Sequence, residues 1–421
     1  MRITPRSRAK EAVTNRNHFK GLLVFLTAVT ALSGCETGYV FPNEAPSQLS
    51  IEKESCYVIE GEEVSLVGIA FDEDGDPIYY QWSATAGSFE PPDGKGSSVI
   101  WEAPQTPGPV TITLSVTDEI ETSSTHVTIE VGGIFPGTIN QATTIADSGY
   151  VYLIDKLLPV SVPSGVSLTL SEGVRIVVRS ENGGIDVAGS LIVEGTEGNE
   201  VVIGPSSCEP GEGDWNGVRV VGLEAEASIT HARIYAAENG LVVSGQASAV
   251  VRHSTINNNS NNGVEVSDGA TLDMYGCTVW DNGTGVYVRN SRVDFSHNSI
   301  RYNDINGLEV SATSEESEMS VDSCVVANNE TYGILLMGIA RPEIHYCSIF
   351  SNGSGGEGEA VRLEVYSGTD SVRVDYNFWG IGNDSEEAIR ALIYDKDDTD
   401  VGVNAYVDFI PWLADEPEWA P

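Results

Sequence analysis

Seven apolar residues in the second half of the chain, Ile234, Ile256, Val279, Ile300, Val326, Ile349 and Trp379, follow one another at intervals of 22, 23, 21, 26, 23 and 30 residues. A period in the twenties restricts a chain to stacks of one small unit, because each unit is too short to bury an apolar face alone. Other columns keep step with these markers. Five before them stand Ile229, Val251, Met274, Phe295, Val321, Ile344 and Val374; two before stand Ala232, Ser254, Cys277, Asn298, Cys324, Cys347 and Asn377. Three after the first six markers stand Ala237, Asn259, Asn282, Asn303, Asn329 and Asn352. Gly240, Gly263, Gly285, Gly307 and Gly333 come six or seven after the first five markers, and each opens a short apolar run.

Each interval reads as a coil of short strands. Coils stacked about 4.8 Å apart pair every strand with those above and below. Like side chains then lie over one another. The asparagine column is expected to form a ladder of amide hydrogen bonds, and the glycine column to supply a positive φ at a sharp corner. The polar run HSTINNNSNNGVEVSDG, from His253 to Gly269, is on this reading one turn of the stack rather than a recognition loop.

Between Leu49 and Val131 the pattern changes to the runs EVSLVGIAF, IYYQWSA, SSVIW, VTITLSVTD and STHVTIEV, separated by turn residues. This reads as an antiparallel β-sandwich. Its acidic turn DEDGDP offers Asp72, Asp74 and Asp76 to calcium, since hard cations take several carboxylate oxygens. A polar hairpin turn accounts for the same residues. At the other end, SEEAIRALIYD reads as a capping helix. Asp384 or Ser385 is its N-cap, Glu386 and Glu387 lie in its first turn, and Ile389, Leu392 and Ile393 form one apolar stripe. Trp379 and this helix are expected to close the open strand edges of the stack.

The chain begins with Arg2, Arg6, Arg8, Lys10, Arg16 and Lys20, followed by an apolar run from Leu22 to Leu32. The run is too short to span a bilayer, and the pattern is that of a secretory signal peptide. Of 22 basic and 62 acidic residues in the chain, 16 and 61 remain beyond residue 34, a net charge of −45. Such a surface repels nucleic acid and attracts divalent cations. The readings divide the chain into a signal peptide (1–34), a tether (35–47), the sandwich (48–132), the solenoid with its cap (133–413) and a tail (414–421).

Several stretches resemble known families. Leu32-Ser33-Gly34-Cys35 resembles the lipobox of bacterial lipoproteins. That implies a diacylglycerol on Cys35, membrane attachment through it and, with Glu36 rather than Asp next, an outer-membrane location. Five cysteines then remain, so at least one thiol stays free unless it pairs between chains. GIAFDEDGDPIYYQWSATAGSF, WEAP and GPVTITLSVTD resemble the PKD and related immunoglobulin-like families, in which Trp82 would be the core tryptophan. VSVPSGVSLTLSEGVRIVV, GGIDVAGSLIVEGTEGNEVVIGPSS and GDWNGVRV, with the repeats and YNFWGIGNDSEEAIRALIYDKDD, resemble right-handed parallel β-helix proteins of the pectin-lyase-like superfamily from Gly137 to Leu413. The expected fold class is all-β, a right-handed parallel β-helix preceded by an immunoglobulin-like sandwich.

Polysaccharide lyases and hydrolases of that superfamily place their groups on the outer face of one sheet. Alternation after each glycine predicts Val242, Glu265, Tyr287, Glu309, Leu335 and Arg362 as outward. Glu265 and Glu309, two rungs apart, would be about 9–10 Å from one another. Inverting glycosidases hold their carboxyl groups about 6.5–9.5 Å apart, but solvated strands also carry glutamates. Uronate lyases use a basic residue, and between Gly133 and Pro421 the only lysines are Lys156 and Lys396. Tyr235, Trp280 and Phe350, just after the markers, are expected to face outward and, with Tyr287, to suit sugar stacking; a covering loop is the alternative for the first three. His231, His253 and His297 share one column, read as a polar turn ladder in preference to a zinc site. The thiols of Cys277, Cys324 and Cys347 are expected to pack inward as small buried groups.

The function expected is non-catalytic binding or display at a bacterial cell surface, of glycan or of a protein partner. A polysaccharide lyase or hydrolase built on Glu265 and Glu309, and a structural envelope component, are the alternatives. Calcium is the one cofactor the sequence admits.

Overall fold

The computed structural model describes residues 42–155, 157–313, 318–353, 359–399 and 402–418. Cys35, the signal segment and Lys156 lie outside the described residues. Glu44–Pro421 forms one compact unit.

Its first part is built of two sheets. Ser47–Lys53, Glu63–Phe71, Ser98–Glu102 and Ser88–Glu90 make one antiparallel sheet. Tyr79–Ala84, Gly108–Thr117 and Thr122–Ile134 run antiparallel in the other, with Tyr57–Ile59 parallel to the last. Inward residues of both sheets, among them Leu66, Trp101, Trp82 and Leu114, share one core. Both tryptophans are buried with their N–H groups satisfied, Trp82 by the Gly96 carbonyl at 2.9 Å and Trp101 by that of Ala86 at 3.0 Å.

The expected boundary between residues 132 and 133 falls inside a strand. Gly133 and Ile134, at the end of Thr122–Ile134, pair in parallel with Tyr152 and Leu153. The two-sheet body thus covers the edge of Tyr152–Ile154, the first strand of one of the solenoid's sheets, which would otherwise expose unpaired backbone groups. Gly132 permits the close approach, because a Cβ there would lie 1.9 Å from Leu153 Cδ1. A disulfide between Cys56 and Cys208 crosses the same junction. Arg179 adds a forked pair of hydrogen bonds to Glu62, at 3.0 and 2.6 Å.

The solenoid has three parallel sheets, to which successive coils contribute strands in turn. Sheet 1 runs from Thr143–Ile145 to Val407–Asp408, sheet 2 from Tyr152–Ile154 to Ser348–Phe350, and sheet 3 from Val160–Val162 to Ile393–Tyr394. The marker residues Ile234 to Ile349 lie in register in sheet 2. The column from Ile229 to Ile344 lies in register in sheet 1. Both columns are buried, each side chain contributing about 1.5–3 kcal/mol of transfer energy.

Two polar ladders run through this interior. In the first, Asn259, Asn282, Asn303 and Asn329 each donate a side-chain N–H to Oδ1 of the next asparagine, at 2.7, 3.0, 2.8 and 2.8 Å. The same oxygens also accept the backbone N–H of the preceding rung. The second ladder uses the column two before the markers. Ser254 Oγ, Cys277 Sγ, Asn298 Oδ1, Cys324 Sγ, Cys347 Sγ and Asn377 Oδ1 each accept the backbone N–H of the column's preceding member, at 2.7–3.4 Å. The buried thiols are therefore acceptors for a turn as well as filler.

The glycine column has another cause than the one expected. None of Gly240, Gly263, Gly285, Gly307 and Gly333 has a positive φ. A Cβ on Gly285 would lie 2.6 Å from the Gly307 carbonyl oxygen and 2.8 Å from both Asn303 Nδ2 and Ile300 Cγ2. The glycine leaves room for the next rung's ladder. Gly285→Ala is expected to cost about 1–3 kcal/mol in denaturant unfolding, and Gly285→Asn no less, whereas a left-handed site would accept asparagine. The left-handed corners lie elsewhere. Asn258, Asp281, Tyr302, Asn328 and Ser351 follow the markers by two, and His231, His253, His297, Ser323 and Tyr346 precede them by three, all with φ between 44° and 58°. Gly276, which interrupts the histidine column, occupies that corner at φ 63°.

The cap differs in extent from the expected helix. The helix is Glu386–Arg390, with Ser385 as N-cap accepting from Ala388 N at 3.3 Å. Ile389 is buried within it, but the apolar stripe divides there: Ile393–Tyr394 leaves the helix and pairs with Val361 and Arg362, extending sheet 3. Trp379 is fully buried against Phe409. The buried Asp395 carboxylate accepts from Val407 N at 2.7 Å and meets Arg390 at 2.6 Å.

Candidate functional site

The outer face of sheet 3 carries one column in continuous register: Val242, Glu265, Tyr287, Glu309, Leu335, Arg362 and Tyr394. Tyr287 sits between the two glutamates. Burial pushes its hydroxyl above the ordinary value, with Glu309 and Glu265 adding to the shift and Arg289 opposing it. Each glutamate is held by its own strand. Glu309 accepts from Asn306 Nδ2 at 2.9 Å, and Glu265 from Ser267 Oγ at 3.3 Å and Asn262 Nδ2 at 3.4 Å. Two rungs on, the Arg362 guanidinium lies 4.1 Å from the Tyr394 ring centroid and 5.2 Å from that of Tyr332. Leu335, although outward, is buried. The face therefore offers Tyr287 between two carboxylates and, further along, a cation held between two rings. Tyr332 and Tyr394 escaped the sequence reading. One precedes a corner glycine, and the other lies in the cap, where the repeat is lost.

Tyr235, Trp280 and Phe350 share an outward register in sheet 2, but Asn257, Arg301 and Ala327 stand between them. Trp280 is 37% exposed. Tyr235 packs over Gly204, where a Cβ would lie 2.2 Å from the ring, with Arg233 4.6 Å from its centroid. Phe350 lies 6.3 Å from the Phe378 ring and against Gly380. Ala327, in the same column, is 0% exposed. The three rings do not form one platform, and Trp280 presents the most open of them.

The remaining candidates lie apart. His231 and His253 are stacked, with ring centroids 5.1 Å apart. Among the described residues, the group able to share a metal ion is instead Asp72, Asp74 and Asp76. Outside sheet 1, a shallow groove is lined by Arg292 and Arg341 with Asp294, Glu318 and Glu343, and Arg292 pairs with Glu318 there at 2.9 Å.

Cys277, Cys324 and Cys347 are free and buried. Burial pushes the Cys277 thiol up to about 12 and the Cys347 thiol well above its usual value. Such thiols are not nucleophiles near neutrality. Alkylation with iodoacetamide at mildly alkaline pH is expected to label none of the three in the folded protein and all three after unfolding. The thiol shift also has a stability sign. A folded pKa raised above the unfolded value leaves stability intact below about 8.5 and removes it as pH climbs toward the folded value. Urea midpoints are expected to fall between pH 9 and pH 11, less steeply in Cys277→Ser.

The family described as Right handed beta helix region matches residues 216–377. The solenoid is a right-handed β-helix. That match covers the part of the β-helix holding the asparagine ladder and the Glu265–Tyr287–Glu309 column. No curated protein matches the chain. Among solved structures, the ZirS C-terminal Domain is similar at 16% identity, covering 30% of this chain and 96% of that one, with a TM-score of 0.16. A likeness that loose bears on neither architecture nor activity.

Proposed function

We propose that the protein is a lipid-anchored bacterial surface protein whose β-helix binds or displays a partner without chemistry, glycan being the favoured ligand. The N-terminal body is on this reading an immunoglobulin-like module of the PKD kind, and Cys35 carries the lipid that holds the chain at the outer membrane. The observation that carries the proposal is the sheet 3 column. Tyr287 gives an apolar ring flanked by carboxylate acceptors, and Arg362 with Tyr332 and Tyr394 gives a donor between rings. Sugars are bound by such pairings of ring and polar group. In register, Val242, Tyr287 and Leu335 flank Glu265 and Glu309, so no lysine stands beside them to serve as the base of a uronate lyase.

Binding is tested with the full chain, purified in detergent, against immobilised neutral and acidic polysaccharides. Tyr287→Ala is expected to weaken retention of the bound polymer by about 1–2 kcal/mol, roughly five- to thirtyfold, with the melting temperature unchanged. Retention equal to that of the unsubstituted chain would remove the column from the account.

A further inference from the structure

We propose that the turn from Asp72 to Asp76 is a calcium site, and that the ion fastens the chain entering at Glu44 to the two-sheet body. This goes beyond the binding role above and is independent of it. Asp72, Asp74 and Asp76 each offer a carboxylate oxygen, and the three lie within 4.8 Å of one another. Calcium–oxygen bonds of about 2.3–2.6 Å require ligand pairs no farther apart than about 5 Å, so one ion reaches all three.

The second observation is Asp72 itself. It is 7% exposed. Its Oδ1 accepts from the backbone N–H groups of Asp74 at 3.1 Å and Asp76 at 2.9 Å, which closes the turn. Its Oδ2 is buried with no partner. An unpaired carboxylate oxygen out of water is costly, and a cation satisfies it. Asp74 and Asp76 are exposed, so an ion reaches the site from solvent. An all-oxygen set without histidine or cysteine excludes zinc's usual ligands, and carboxylates on a short turn suit calcium's flexible geometry better than the strict octahedron of magnesium.

The position gives the ion a task. Asp74 Oδ2 accepts the backbone N–H of Glu44 at 2.7 Å, and Ser47 pairs with Phe71, the residue before Asp72. The site therefore lies where the incoming segment meets the first sheet. Without a cation, the carboxylates at this junction repel one another; with one, they hold the entry strand down.

Calorimetric titration of the full chain with calcium chloride tests the proposal. One saturable site is expected, with Kd about 0.1–1 mM, the range of extracellular calcium modules. Asp72→Asn keeps an oxygen for both turn N–H groups, and Asp76→Asn alters an exposed side chain. Each is expected to weaken binding about tenfold or more without changing the calcium-free melt. Calcium is also expected to slow amide exchange at Glu44 in the unsubstituted chain and not in Asp76→Asn, which keeps the test decisive if Asp72→Asn folds poorly. No saturable site at millimolar calcium would overturn the proposal. So would a site of equal affinity in Asp76→Asn, because the ion would then sit elsewhere on the acidic surface.

Discussion

Asn303→Ala is expected to destabilise the protein by about 3–5 kcal/mol. Asn303 is 0% exposed. Its Oδ1 receives both the backbone and the side-chain N–H of Asn282, at 3.2 and 3.0 Å, and its own side chain donates to Asn329 Oδ1 at 2.8 Å. Alanine leaves the Asn282 backbone N–H and part of the Asn329 acceptor without partners in a site closed to water, at about 1–3 kcal/mol for each group lost, and adds a cavity, while Asn282 Nδ2 keeps the Trp280 and Ile256 carbonyls at 3.0 and 3.3 Å. Because the ladder is continuous, the loss falls in the middle of the stack rather than at a fraying end. Against a total of about 5–15 kcal/mol for an ordinary domain, it is a large fraction. Urea unfolding with hydrogen exchange is the measurement. Protection is expected to fall most at Asn282 and its neighbours. Asn303→Ser, which restores an acceptor, is expected to recover part of the loss. An asparagine serving only as a surface turn would show neither effect.

Removing the Cys56–Cys208 disulfide is expected to cost about 2–5 kcal/mol. The bond closes a loop with a sequence separation of 152 residues and joins the two-sheet body to the β-helix. In the chain-entropy account, long loops gain most from closure. The loss is expected to be local in character, because Thr122–Ile134 still runs from one part into the other and Arg179 still holds Glu62. Cys208→Ser should therefore lower the unfolding midpoint while leaving the asparagine ladder protected. A variant that lost protection throughout would show that the junction depends on the disulfide rather than on the shared strand.

The stack was legible in sequence because its residues are forced to repeat. Each marker lies directly over its neighbour, so a change in one coil is felt by two others, and the columns from Ile229, Ile234 and Asn259 onward keep their character. The reason for the corner glycines was not legible. A positive φ and a carbonyl at 2.6 Å both select glycine, and only coordinates tell them apart. The outward residues were placed in the correct columns by alternation, yet alternation says nothing of what lies above a column, as Tyr235 against Gly204 and the buried Leu335 demonstrate. The junction lay inside the strand Thr122–Ile134, where only the last two residues, Gly133 and Ile134, change neighbour, and their partners Tyr152 and Leu153 are distant in sequence.

Binding without chemistry is tested by incubating the full chain with a panel of neutral and acidic polysaccharides, with and without calcium. Mass spectrometry then reads the products and pull-down the retention. Retention of at least one polymer and no new oligosaccharides from any are expected. New oligosaccharides that vanish in Glu265→Gln or Glu309→Gln would contradict binding without chemistry and make the sheet 3 column a catalytic face.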